Sequence, residues 1–285
     1  MGGKGCTPLH YHYHHHFFRS PFKNSRVVVI TDKILGMKWI SIFTYLLTLS
    51  LALAAESVDH LITDAERLEK EGDTDSAITV LKNADRLSPE NVEVTKLLAR
   101  QYVLKVDDAA DQPAKKTYAE MALDLAQKAA NKLPDDSEAQ VALAAAYGKL
   151  CDLVDGKTKV EYSKQVYVDA TKALRLDPES DFGHLILAQW NFQMAFLNPF
   201  LKVLAQMIYG QFPTASKEEA ISQYQKAIEL APERIVHHAE FAKALDVMGD
   251  KQEARQQWAK VTELKPVYAQ DKRYQAMAFK RLQIR

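Results

Sequence analysis

The chain has 285 residues, 37 Lys and Arg against 37 Asp and Glu, and an apolar fraction of 47%, so it carries no formal net charge. That balance excludes a strongly basic nucleic-acid binder. Ten Gly, ten Pro and two Cys are too few for a glycine-rich nucleotide-binding α/β fold, a turn-rich β-sandwich or a disulfide framework.

Residues 1–38 hold six bases (Lys4, Arg19, Lys23, Arg26, Lys33, Lys38) and one acid, Asp32. Subtracting these from 37 and 37 leaves 31 bases against 36 acids, so a basic head cancels an acidic body. Residues 1–36 also carry the run His10, His12, His14, His15, His16 and read as a disordered extension upstream of a true start at Met37. From there Met37-Lys38 leads into WISIFTYLLTLSLALAA, uncharged from Trp39 to Ala55, with Ala52-Leu53-Ala54 as an A-x-A site. A basic start, an apolar middle and a small-residue end are the three zones of a secretory signal. Residues 37–54 are expected to be a signal peptide, with a membrane anchor over 39–55 as the alternative, and residues 55–285 the functional domain. Export, in a bacterial cell to the periplasm, is the expected location. Only Cys151 then remains, so packing rather than a disulfide must stabilise the domain.

The body repeats itself. Five segments end in proline: AITVLKNADRLSP (Ala77 to Pro89), MALDLAQKAANKLP (Met121 to Pro134), VYVDATKALRLDP (Val166 to Pro178), AISQYQKAIELAP (Ala220 to Pro232) and ARQQWAKVTELKP (Ala254 to Pro266). Each reads as an amphipathic helix with a small residue at its start (Ala77, Ala122, Ala220 and Ala254, with Val166 in the third), a packing residue four positions later, an Ala or Val three further on, and a stop at proline. Ahead of each lies the other half of a hairpin, over 58–71, 92–106, 137–154, 182–196 and 235–248, with Ala65, Ala99, Ala144, Ala188 and Ala242 at the helix contact. Gly72 and Gly249 are placed to cap two of these helices. The pattern resembles the tetratricopeptide repeat (TPR). It implies an all-α, right-handed superhelix of about five helix hairpins with a C-terminal capping helix over the last 19 residues, Val267 to Arg285.

The prolines are 45, 44, 54 and 34 residues apart, so three units exceed a 34-residue period. The first two surpluses are expected in polar connections at 105–116 and 155–161. The third, in unit four, is a hydrophobic insertion whose helix over 199–210 bears Phe200, Leu204, Met207 and Ile208; a helix apolar on most sides must be buried or meet lipid. The stretch Leu185 to Pro232, with LILAQWNFQMAF before NPFLKVLAQMIYGQFPTASKEEA, is similar to the TPR-like region of the regulator of microtubule dynamics family. That resemblance extends over Val92 to Pro266 and implies a helical adaptor or membrane-associated protein without catalytic activity. It does not imply microtubule binding, because an acidic body is repelled by an acidic microtubule surface.

No catalytic constellation emerges, and no metal or cofactor is expected. His237-His238-Ala239-Glu240 lacks the zincin spacing and reads as a partly exposed helix start. Function in a repeat superhelix resides on the concave face lined by the first helix of each pair. Register within the repeat places Lys96 and Arg100 there in unit two, Val141 and Lys149 in unit three, Phe182, Leu185, Gln189 and Phe192 in unit four, and Lys243 and Asp246 in unit five. The expected function is a non-catalytic, exported scaffold that holds a protein or peptide in this groove. The alternative is a carrier of a lipid or other apolar ligand, or a protein meeting a membrane surface, using the groove and the 199–210 helix. Nucleic acid is not an expected partner.

Overall fold

The computed structural model describes residues 57–209 and 215–283, and the extension and the signal-like segment lie outside the described residues. All regular structure described is helical. The hairpins are α1 (57–71) with α2 (Thr74–Leu87), α3 (Val92–Asp108) with α4 (Gln112–Lys132), α5 (Ser137–Cys151) with α6 (Gly156–Leu176), α7 (Asp181–Ala195) with α9 (Lys217–Leu230), and α10 (Ile235–Met248) with α11 (Lys251–Glu263). Between α7 and α9 stands α8 (Pro199–Tyr209), and α12 (Ala269–Gln283) ends the array. Partners within each hairpin pack along their length, and the first helices touch in succession, α3 on α5, α5 on α7, α7 on α10 and α10 on α12. This is the TPR-like superhelical array.

The repeat is written in small residues because helix axes can approach closely only where side chains are short. Ala77, Ala122, Ala220 and Ala254 are buried on the second helices, and Ala65, Ala99, Ala144, Ala188 and Ala242 opposite them on the first. The packing position varies in size, Leu81, then Ala126 and Ala170, then Tyr224 and Trp258, all buried. Proline ends the second helices as expected: the N–H groups of Ser88, Leu133, Asp177 and Ala231 bond back to Ala84, Ala129, Ala173 and Ala227 just before the chain turns. Two residues beyond the proline, Asn91, Asp136 and Ser180 cap the next helix. Six beyond it, Gln140, His184 and His238 reach back to the proline carbonyl at 3.2, 2.9 and 2.9 Å. A carbonyl only accepts, so both histidines carry hydrogen on Nε2. Gly72 and Gly249 adopt φ of 82° and 89°, the left-handed region where glycine is favoured.

Two expectations need correction. The surplus residues of units two and three are helical rather than looped: α4 and α6 each run 21 residues against 14 in α2 and α9. Asp111 accepts from the Ala114 N–H at 2.8 Å, and Pro113 stands in the first turn, where its missing donor costs nothing. The polar segment thus starts a helix and leaves a connection of only three residues, 109–111.

His237 and His238 are buried, at 0% and 4% exposure, instead of standing at an exposed helix start. Arg234, two residues after Pro232, cannot cap α10. Asp181 of the preceding unit comes to its guanidinium Nε at 2.8 Å and accepts from His237 Nε2 at 2.8 Å. Burial pushes the His237 imidazole down against the pull of Asp181, and its Nδ1 has no hydrogen-bond partner among the described residues, so the ring is neutral.

α12 caps the last unit as expected and does more than that. Tyr274, Ala278 and Leu282 pack on Ile235, Ala242 and Trp258, and Gln275 donates to the Val261 and Leu264 carbonyls. The same helix then reaches the other end of the array. Arg273 donates to Asp108 at the end of α3 at 2.7 Å. At the α1–α2 turn, a Cβ placed on Gly72 would lie 2.4 Å from the Cβ of Ala269.

Candidate functional site

The first helices of units three to five and α12 enclose a cavity of about 720 Å³. Its walls follow from the repeat. Ala144, Ala145 and Gly148 on α5 and Ala244 on α10 are small enough to leave space, while Ile186, Trp190 and Phe192 on α7, with Gln189 and Gln193 between them, and Val247 and Met277 supply the larger lining side chains. Trp190 donates from Nε1 to the Ser163 carbonyl at 2.8 Å, and Tyr167 lies against its ring at 4.5 Å between centroids. A Cβ placed on Gly148 would meet nothing within 4 Å, so its α-carbon faces open space.

Charge enters in pairs. Lys149 donates to Asp107 at 2.6 Å and Lys243 to Glu240 at 2.6 Å; Tyr274 from α12 donates to the same Glu240 oxygen at 3.0 Å. Burial, with Glu240 adding, pushes the Tyr224 and Tyr274 hydroxyls well up, so both stay protonated donors. Cys151 is buried, and burial raises its thiol to about 12, reinforced by Asp152, so it is not a nucleophile at neutral pH. Among the described residues no group of three or more His, Cys, Asp or Glu side chains is arranged to hold a metal ion.

Of the residues placed on the concave face from sequence, Lys149, Gln189, Phe192 and Lys243 line this cavity. The others lie elsewhere. Leu185 is core, packed with Ala188, Tyr224 and Phe241; Phe182 lies at that cluster's edge, under Arg234 and against His237. Val141 packs beside Ala144 and Trp190. Asp246 accepts from Trp258 Nε1 at 2.9 Å, tying α10 to α11. Arg100 is held by Glu69 of α1 at 2.9 Å. Lys96 is buried among Glu93, Asp136 and Glu138 at 2.9, 3.3 and 2.8 Å. Burial alone would lower its ammonium, but Glu138 and Glu93 outweigh that and raise it.

The insertion residues do not enter the cavity. Phe200 and Met207 are exposed, Leu204 is half-buried, and the Ile208 side chain lies outside the described residues. α8 instead packs on α6. Leu201 and Ala205 line a small crevice of about 40 Å³ with Val160, Met194 and Leu197. Sequence reasoning missed Glu240, Arg273, Tyr274 and Met277. Arg273, Tyr274 and Met277 belong to α12, whose reach across the array has no local sequence signal. Glu240 sits in a His-His-Ala-Glu run that sequence reasoning weighs only for metal spacing.

Comparison with known proteins agrees with the helical repeat fold. The family model for "Regulator of microtubule dynamics protein 1-3" matches residues 61–284. Regulator of microtubule dynamics protein 2 of Homo sapiens is 23% identical over 184 residues, 65% of this chain and 43% of that protein. Regulator of microtubule dynamics protein 3 of Mus musculus is 28% identical over 182 residues, 62% of this chain and 38% of that protein. The chain spans less than half the length of these curated relatives. A thermophilic TPR protein of Thermus thermophilus superposes with a TM-score of 0.61 at 19% identity, over 80% of this chain and 100% of that one. It supports the TPR fold alone. With the match running from α1 to the end of α12, this chain belongs to the regulator of microtubule dynamics protein 1-3 family.

Proposed function

We propose that this protein is a non-catalytic interaction scaffold that takes a short amphipathic segment of a partner protein into the cavity between α5, α7, α10 and α12. The observation that carries this reading is the mixed lining: Ile186, Trp190 and Phe192 of α7, with Gln189 and Gln193 between them, share the cavity with Lys149, Lys243, Glu240 and Arg273. Such a surface offers an anchor pocket and partners for a peptide's polar groups, the recognition mode of helical grooves. The thiol in the cavity is held protonated, and the carboxylates of Asp107 and Glu240 are tied to Lys149, Lys243 and Tyr274, which supports a binding role over a chemical one. The scaffold is exported by residues 37–54, in a bacterial cell to the periplasm, or held at a membrane by residues 39–55. The name of the relatives speaks of microtubules, but the acidic charge of the body disfavours that surface here.

A second reading, a carrier of an amphipathic small molecule such as a lipid, is favoured by one feature. α12 bridges the mouth of the groove, and about 720 Å³ lies in the range of small-molecule pockets. Gly148→Leu separates both readings from a purely structural cavity. It puts a side chain into open space on a helix, where leaving glycine gains about 0.5–1 kcal/mol, so the variant folds while the cavity is blocked. Native mass spectrometry of gently purified protein, with crosslinking through Lys243, is expected to show a bound peptide or lipid-sized mass that the variant loses. Retention of the same mass by Gly148→Leu would refute binding in this cavity.

A further inference from the structure

α8 turns an apolar stripe outward. Phe200, Val203 and Met207 are 75%, 53% and 80% exposed, and at 100° per residue they fall within about 60° of one another on one stripe. The opposite side is used: Ala205 is buried at 2% and Leu201 sits in the crevice against α6 and α7. Phe196, just before the insertion, adds a further ring at 40% exposure. An exposed apolar stripe of this kind marks an interaction surface.

The charge around it is equally uneven. Between Asp181 and Glu218 the sequence holds no acidic residue, although the chain beyond residue 38 has more acids than bases. The only full charges in that interval are Lys202 on α8 and Lys217. Lys217 lies 4.8 Å over the Phe196 ring, and Lys202 reaches the Ala195 carbonyl at 3.2 Å. Lys159, on the α6 wall of the crevice, adds a third base beside α8, while Glu161 of the same helix is paired with Lys157 at 3.5 Å. An acid-free apolar helix with lysines at its margin suits an anionic lipid surface, where the apolar stripe enters the headgroup boundary and the lysine stems follow it. A second copy of the chain is a poorer match, since apposing these faces would bring lysine to lysine with no carboxylate in the interval to meet it. The helix, 11 residues and so about 16 Å long, can only lie along a bilayer. Among the described residues no helix is long and apolar enough to cross one.

We propose that the Phe200, Val203 and Met207 face of α8 docks on the surface of an anionic lipid bilayer, holding the repeat array against the membrane independently of what its cavity binds. The test must separate this face from the apolar segment at 39–55, so it reads position 207 directly. In full-length protein carrying Cys6→Ser, with Cys151 protected by burial, Met207→Cys is labelled with an environment-sensitive dye, and Lys128→Cys on α4 serves as control. With vesicles of phosphatidylcholine and phosphatidylglycerol, the dye at 207 is expected to shift to the blue and to be quenched by lipids carrying a nitroxide on the acyl chain. The dye at 128 should do neither.

Adding Phe200→Ser and Lys202→Glu, with helical content checked by circular dichroism, should weaken that quenching roughly tenfold or more, the effect of removing a buried phenylalanine. A dye at 207 that stays solvent-like overturns the proposal. So does a blue shift without lipid quenching that grows with protein concentration, the outcome for a second copy. Equal quenching on pure phosphatidylcholine would overturn the anionic assignment.

Discussion

The two halves of the array put their charges to different use. In the N-terminal half Lys96 is buried among three carboxylates, Arg100 is held by Glu69, and Lys105 reaches Asp75 at 2.5 Å across the helix pair. Each cation links one helix to a neighbour, so the surface is closed to ligands by its own ion pairs. In the C-terminal half the pairs Lys149–Asp107 and Lys243–Glu240 line an open cavity together with alanine, glycine and aromatic side chains, and behind it Asp169 of the second helix α6 is buried with its Oδ2 lacking a hydrogen bond. Charge of one sign locked by the other makes structure, whereas small residues beside aromatic ones make room.

This contrast can be broken or sharpened by four variants. The largest expected effect is from Trp190→Ala, which removes a buried indole that is both cavity wall and core. A loss of about 3–5 kcal/mol in urea unfolding is expected, and a small loss would mean that α7 is not packed as described. Next is Lys96→Ala, which strands Asp136, Glu138 and Glu93 around an empty site. Because those carboxylates are partly solvated, the expected loss is about 2 kcal/mol, below the usual range for a broken buried pair, with ligand capture unchanged. Capture lost along with little change in stability would place the functional surface in the N-terminal half instead.

Asp169→Asn should stabilise. Burial raises this carboxyl to about 6, with Lys172 opposing weakly, so between about pH 4 and pH 6 the folded chain binds more protons than the unfolded one. The native protein therefore gains stability as pH falls through that window, and the asparagine variant does not. An advantage of about 1–2 kcal/mol for the variant at pH 8 is expected, shrinking toward zero by pH 4. Thermal melts at the two pH values decide it, and parallel curves for both proteins would show that Asp169 is compensated after all. The smallest effect on stability belongs to Lys243→Ala, whose ion pair is 40% exposed on the lysine side. A change below about 0.5 kcal/mol is expected, while retention of the bound mass in native spectrometry should fall several-fold. Unchanged retention would remove Lys243 from the site.

How far the molecule is readable from its sequence varies with the range of the interaction. The alanine and proline periodicity is local, and it places every hairpin and the alanines that turn out to be buried. The lengthened helices α4 and α6 escape it because polarity says which face meets water, while the capping Asp111 and Pro113 say where a helix starts. The concave surface is half readable. Register identifies Lys149, Gln189, Phe192 and Lys243, yet it also names Lys96 and Arg100, whose partners Glu138 and Glu69 lie 42 and 31 residues away. The hydrophobicity of α8 is plain in the sequence, but which side faces out depends on Val160 and Met194 of other helices.

The contact of α12 with both ends of the array changes how this molecule must fold. A repeat solenoid ordinarily behaves as a line in which each unit senses only its neighbours, so one end can fray while the rest holds. Here Ala269 meets the Gly72 turn and Arg273 meets Asp108, 165 residues away along the chain. That joins the last element to the first and makes the line a loop, whose final closure must wait for the distant ends to come together. Such a topology predicts slow, cooperative folding in place of stepwise zipping. A truncation after Pro266 should then be felt as faster amide exchange in α1 and α2, at the far end of the sequence from the cut.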